Sequence, residues 1–387
     1  MGATSPILDP NKPDSLAHDI CGRQVSPSGS ELMKFLQFIS NYESYLVTFN
    51  QRLREAHGSW DDAQRMYYHD GFLMPHYLSA AFTELGHEAN SIVFNNPVTQ
   101  QIWAQIHSSN KVRSEIDILV EQVDFYQPDI LYIMDPITLD SAFVRRLNRR
   151  PSVVIGWRAA PIHPQIDFSA FDFIFSSVPA LFEQMKNQGA KRPTYFLPGV
   201  DTVYLGGLTR QEKRFEISFS GQYGPFHGNR NRLLLELSQQ QLQQRERFEL
   251  AYFLATGDML AIPAGVFAHI HPPVWGRSML DMYAASKATF HIPIDMADTN
   301  STAMRLFEVA GVGTPLFLHS SSNVYGIFSE DEVIRFSSAQ DLIEKFLKLR
   351  RESGRLEEIG ALGQRKCIAE HNSVIRSKQL LSICGGA

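Results

Sequence analysis

Arg305 and Glu308 could hold two parts of one ligand. A fixed guanidinium can meet phosphate charge, and a carboxylate can accept hydrogen bonds from two ribose hydroxyls. Asn300, Ser301 and Thr302 stand just before them. Short polar side chains of this kind cap a helix by accepting the free N–H groups of its first turn. That end of a helix carries partial positive charge and unpaired donors, so it suits a phosphate. Arg305 then falls in the next turn and Glu308 two turns in, before a glycine turn and a buried strand. The same residues would also make a plain capped surface helix with one exposed carboxylate.

A second phosphate seat follows the strand at residues 216–220, where Gly221, Tyr223 and Gly224 lead toward a helix beginning near Asn229. Glycine lets a backbone come close to phosphate. Arg230 and Arg232 lie in that helix's first turn. Cations there oppose the helix dipole, so a bound anion would account for them; a strand-to-helix turn with solvated arginines is the plainer reading.

Three places in the first half carry residues that could do chemistry. His69 or Asp70 could take the proton of a hydroxyl as general base, or serve only to pack their own segment. Asp135 and Trp157–Arg158 close two short apolar runs, where strand ends face a cleft. Trp157 could stack on a sugar face and Arg158 could hold a phosphate or carboxylate. His269 and His271 match no zinc spacing and read as loop.

The elements that must position these groups alternate between short apolar runs and helical spacing. Residues 130–134, 153–157 and 171–175 read as buried parallel strands, and residues 112–126 and 179–188 as helices. Residues 44–49 read as the first strand, and residues 71–85 as a helix ended by Gly86. The second half repeats the alternation, with strands at 248–254 and 289–294 and a helical tail over 339–381. The fold class is therefore α/β, with two doubly wound Rossmann-like domains facing a cleft. We expect an irregular lead-in over 1–40, an N-terminal domain over 41–200, a C-terminal domain over 201–375 and a tail over 376–387.

A chain of 387 residues suits two cores, and a net charge of -5 argues against broad nucleic-acid binding. Cys21, Cys367 and Cys384 are too few for a disulfide framework or a structural zinc site. No apolar run reaches the roughly 20 residues that span a bilayer. The expectation is a reduced, cytoplasmic protein, with peripheral membrane contact left open.

The run from Met304 to Gly313, with Arg305, Phe307 and Glu308, resembles the donor site of GT-B glycosyltransferases, above all CgeB-like proteins with a family-4-like C-terminal domain. Many family-4 enzymes carry two glutamates with seven residues between them; here Glu308 is the second and Asn300 stands in place of the first. Gly199-Val200-Asp201 is similar to the family's hinge. Tyr283, Ser286 and Lys287 are similar to its preceding helix and strand, and Leu85-Gly86-His87-Glu88 to its first helix end. The likeness covers residues 198–380, and the first half mainly in layout. The resemblance implies a glycosyltransferase (EC 2.4) using a nucleotide-diphosphate sugar as donor substrate, without metal or other cofactor. Gly221, Tyr223, Arg230, Asn300, Ser301, Thr302, Arg305 and Glu308 would hold the nucleotide, and the first half an unidentified acceptor. Two other readings share the fold: a nucleotide-sugar epimerase and a non-catalytic nucleotide-sugar binder.

Overall fold

The computed structural model describes residues 32–108, 114–208, 211–244, 246–297, 301–322 and 326–385. Strands β1 (Lys34–Ile39), β2 (Glu88–Val93), β3 (Ile130–Ile133), β4 (Val153–Trp157), β5 (Phe173–Ser176) and β6 (Pro193–Tyr195) form a parallel sheet in the order β2-β1-β3-β4-β5-β6. A second parallel sheet contains β7 (Phe215–Gln222), β8 (Leu250–Ala255), β9 (Ile270–His271), β10 (Ser286–His291), β11 (Leu316–His319) and β12 (Ile334–Phe336), ordered β12-β11-β10-β7-β8-β9. Helices cover both faces of each sheet, which is why the central strands are apolar at nearly every position. In the first sheet Leu36, Ile133, Val154 and Ile174 pack on one side and Phe35, Tyr132, Ile155 and Phe175 on the other. The expected pair of doubly wound domains is the observed architecture.

Strand order in the second sheet reverses between β7 and β10. Helices leave these neighbours toward opposite faces and open a crevice beyond their carboxyl ends, the usual ligand position in such sheets. Gly221 and Gln222 end β7, and His291 ends β10.

Several elements differ from expectation. Residues 44–49 belong to helix Glu43–Glu55, not to a strand. Tyr45, Leu46, Phe49 and Leu53 are buried at helical spacing, whereas Val47 is 63% exposed. The first strand, β1, lies inside the stretch expected to be irregular. Helix Trp60–Asp70 follows, opened by a reciprocal capping box between Ser59 and Asp62 and closed by Gly71 at φ 59°. The long helix expected from Gly71 is instead a 3-10 turn, Met74–His76, and a short helix, Ser79–Glu84. Residues 270–271 are an edge strand rather than loop.

Most of the expected tail from residue 376 belongs to a C-terminal helix, Ser373–Gly385. It returns to the first domain and buries Leu380 and Cys384 beside Phe35, Phe82 and Phe175. The return is pinned at the hinge, where Val200 donates its N–H to His371 (2.9 Å) and its carbonyl accepts from Ser373 (2.8 Å).

Candidate functional site

Two adjoining cavities lie in the cleft. One, of about 200 Å³, is lined by Gly221, Gln222, Phe253, Trp275 and Glu308 from the second domain and Phe72 from the first. The other, of about 280 Å³, is lined by His291, Ser301 and Ser322 from the second domain and His76, Trp157 and Ser177 from the first. Tyr42, Arg230, Met304 and Arg305 line both. The arginines therefore stand at the junction of the two spaces.

Glu308 is 2% exposed, on helix Arg305–Gly311, and its Oε2 has no hydrogen-bond partner among the described residues. Arg305 Nε lies 3.8 Å from it. Burial pushes the Glu308 carboxyl above its ordinary range, against the opposing pull of Arg305. Arg305 also donates to Tyr283 Oη and lies 3.1 Å from Met279 Sδ. Arg230, at the start of helix Gly228–Gln241, is 8% exposed and donates to the carbonyls of Gln222 and Ile292, both at 3.2 Å. Its Nε has no partner. Burial, reinforced by the like charge of Arg305, lowers Arg230 to about 10. Arg230, buried, and Arg305, partly buried, thus stand together as two cations, with Glu308 beside Arg305 and Asp295 acting on Arg230. Two neighbouring cations with little solvent around them favour an anion between them.

At the expected helix-tip seats several N–H groups already have partners within the protein. Helix Arg305–Gly311 begins after Met304, not after a polar cap, and no side chain caps it. The N–H groups of Leu306, Phe307 and Glu308 bond back to the carbonyls of Ala303 and Met304. Thr302 instead ties the domains together: its N–H donates to the Ser177 carbonyl (2.9 Å), its carbonyl accepts from Ser177 Oγ (2.6 Å), and its hydroxyl meets Tyr195 Oη (2.9 Å). Ser301 is buried and lines the second cavity. Asn300 lies outside the described residues. At helix Gly228–Gln241 the Asp295 carboxylate accepts from the N–H groups of Gly228 (2.6 Å) and Asn229 (3.2 Å). An anion at the junction would meet the side-chain cations Arg230 and Arg305.

The first-domain candidates divide. Trp157 lines the second cavity and packs against His76 with ring centroids 4.7 Å apart. His69 and Asp70 line neither cavity. The Asp70 carboxylate pairs with Arg52 and accepts from Tyr45 Oη (2.8 Å), while the His69 side chain is 70% exposed. Asp135 shapes its own turn, accepting from Ile137 N, Thr138 N and Thr138 Oγ1. Arg158 turns back to the carbonyls of Ala160 and Pro161. Tyr223 lines a shallower space beside the first cavity, next to Phe226 and Thr256.

The sequence reading missed Tyr42, His76, His291, Trp275 and Asp295. Gln37 was the available signal for His76. It interrupts the apolar run of β1, is fully buried, and spends its amide on the turn above: Nε2 donates to the His76 carbonyl (2.7 Å) and Oε1 accepts from Leu78 N (3.1 Å). A buried amide must find such partners, so its place in a strand implies a structured loop at its end. Burial lowers His76 to about 3. Burial and the nearby Arg230 and Arg305 also hold His291 well below the ordinary histidine range. Both imidazoles facing the second cavity are therefore neutral.

Residues 238–382 match the model of a family described as glycosyl transferase-like. No curated protein matches the chain. Among solved structures, a glycosyltransferase from Rickettsia africae aligns with TM-score 0.56 at 11% identity, over 92% of this chain and 99% of that one. The Anabaena protein HepE, in complex with UDP-glucose, aligns with TM-score 0.57 at 10% identity, over 92% and 100%. AviGT4, a glycosyltransferase involved in avilamycin A biosynthesis, gives TM-score 0.52 at 13% identity, over 92% and 99%. Two parallel doubly wound domains, a cleft at the switch point of the second and a match over most of that second domain fit together: the chain has the GT-B fold, and its C-terminal part is a glycosyl transferase-like domain.

Proposed function

We propose that the protein transfers a sugar from a nucleotide-diphosphate sugar to an acceptor hydroxyl. The observation that carries this reading is the buried Glu308 carboxylate on the first cavity, whose Oε2 accepts no hydrogen bond among the described residues, with Arg230 and Arg305 at the junction. Glu308 would accept from the ribose hydroxyls, and the two arginines would meet the diphosphate. The UDP-glucose held by HepE, a protein of the same fold, supports a ligand of this class. Catalysis would rest on placing the acceptor oxygen against the anomeric carbon and on stabilising the departing diphosphate. With the two guanidiniums to take that charge, transfer would proceed without a catalytic metal or a further cofactor. The acceptor would enter from the first domain, past Trp157. His69 and Asp70 stand outside the cavities and take no step in this scheme.

The free thiols Cys367 and Cys384 are buried, and no helix among the described residues is long and apolar enough to cross a membrane. These features support a cytoplasmic setting. A thermal-shift series with UDP, GDP, dTDP, ADP and their sugars tests the assignment. One nucleotide should raise the melting temperature by mass action. Glu308→Ala should abolish that rise, and a rise of unchanged size in the variant would remove Glu308 from the site.

A further inference from the structure

The second cavity differs in chemistry from the first. His291 is 5% exposed, lines this cavity, and its Nε2 has no partner among the described residues. Ser322 is 6% exposed, lines the same cavity, and its Oγ is likewise without a partner. A buried polar atom left unpaired is costly, so two in one cavity call for a ligand that pairs them. His76 faces them across the cleft, with its carbonyl clamped by Gln37 and its ring against Trp157. No Asp or Glu lines this cavity among the described residues. Among the described residues its cations are the two arginines shared with the first cavity, and a diphosphate would use those.

We propose that this cavity is a glycosyl subsite for an uncharged sugar, and that His291 and Ser322 set its specificity by hydrogen-bonding the ring hydroxyls. The assignment rests on the donor reading above, because the shared arginines place the sugar end of the ligand on the His291 side. A neutral imidazole can both donate to and accept from a hydroxyl, and Ser322 can do the same. Trp157 offers a flat apolar face to the sugar's C–H groups. A cationic amino sugar would find no counter-charge among the described lining residues. A uronate would compete with the diphosphate for Arg230 and Arg305.

Calorimetric titration of the wild type, His291→Ala, His291→Gln and Ser322→Ala with UDP, UDP-glucose, UDP-N-acetylglucosamine and UDP-glucuronate tests this, with the corresponding GDP compounds if GDP is the nucleotide that binds. The bare diphosphate reports on folding and on the nucleotide site in each variant. Its affinity should stay within about twofold of wild type. His291→Ala and Ser322→Ala should each weaken the uncharged nucleotide sugar by about three- to tenfold, one lost hydrogen bond apiece, and His291→Gln should restore part of the loss. An unchanged ratio of sugar-nucleotide to bare-nucleotide affinity in both alanine variants overturns the subsite. So does a wild-type preference for UDP-glucuronate over UDP-glucose. Absence of binding by every bare diphosphate would instead overturn the donor reading on which this subsite depends.

Discussion

Arg305 Nε lies 3.8 Å from Glu308 Oε2 on one face of a seven-residue helix, yet the carboxylate is not satisfied by it. The separation is too long for a hydrogen bond, and the guanidinium donates to Tyr283 instead. Burial therefore outweighs the ion pair, and the Glu308 carboxyl is held above its ordinary range. A carboxyl whose folded value is raised contributes stability that is full below the unfolded value and is lost as pH rises through the folded value. Glu308→Gln removes that loss. We expect the variant without ligand to be more stable than wild type at pH 8, with the difference closing near pH 4. Urea denaturation at the two pH values measures it. The same variant should lose its nucleotide-induced shift, so it gains stability while losing the ligand.

His76 gives a dependence of the opposite sign. Burial lowers it to about 3, far below its unfolded value. The unfolded chain then binds a proton that the folded protein refuses, so stability is present above about pH 6.5 and falls as pH drops toward the folded value. One such histidine contributes a slope of up to about 1.4 kcal/mol per pH unit between those limits. His76→Phe should flatten the fall in stability between pH 6.5 and pH 4 relative to wild type. Equal slopes in the two proteins would show that the ring titrates freely.

Both sheets were legible in the sequence wherever a strand was buried on two faces, as at residues 130–134 and 153–157, because continuous apolar runs bounded by Pro or Asp leave little choice. Helix Glu43–Glu55 was not read as one, because the compact run Tyr45-Leu46-Val47 hides a period visible only when Phe49 and Leu53 are included. Of the site, Arg230, Arg305 and Glu308 were recognisable because their charges sit beside glycine turns and a strand end. The phosphate seats at helix tips were not settled by sequence: Asp295, 67 residues from Gly228, fills one of them through a contact that only the folded chain creates. His291 was masked by its strand, since a polar residue ending an apolar run reads equally as a solvated strand end.

Asp70 binds its own domain together. Tyr45 Oη donates to it and Arg52 pairs with it, bringing helix Glu43–Glu55 onto the end of helix Trp60–Asp70. The Arg52 side chain is 48% exposed, so solvent screens much of the pair. Asp70→Asn should cost about 1 kcal/mol in denaturant titration and leave the nucleotide-induced thermal shift intact. His69→Ala should change neither. A loss of transfer in His69→Ala at normal nucleotide affinity would return that residue to the catalytic machinery.

Gly276 and Gly71 both have positive φ, 50° and 59°, but they meet different neighbours. A Cβ at Gly276 would lie 2.0 Å from the Asp70 carbonyl oxygen and 2.9 Å from the Phe72 nitrogen, both backbone atoms of the opposite domain. A Cβ at Gly71 would lie 2.3 Å from the hydroxyl of Tyr204, the far end of a side chain. Tyr204 is buried, but as a side chain its ring can shift at the expense of some packing and its 2.9 Å bond to the His69 carbonyl, whereas the backbone at Asp70 cannot move without shifting the first domain. Trp275, next to Gly276, also packs edge-on against Tyr42 across the cleft, with ring centroids 5.4 Å apart. Gly276→Ala should therefore disturb the cleft and the protein's stability together, lowering nucleotide affinity and costing about 2 kcal/mol or more. Gly71→Ala should cost only about 1–2 kcal/mol and leave affinity near wild type. Paired titration and denaturation of the two variants separates the cases, because equal losses of affinity would place the interdomain contact elsewhere than Gly276.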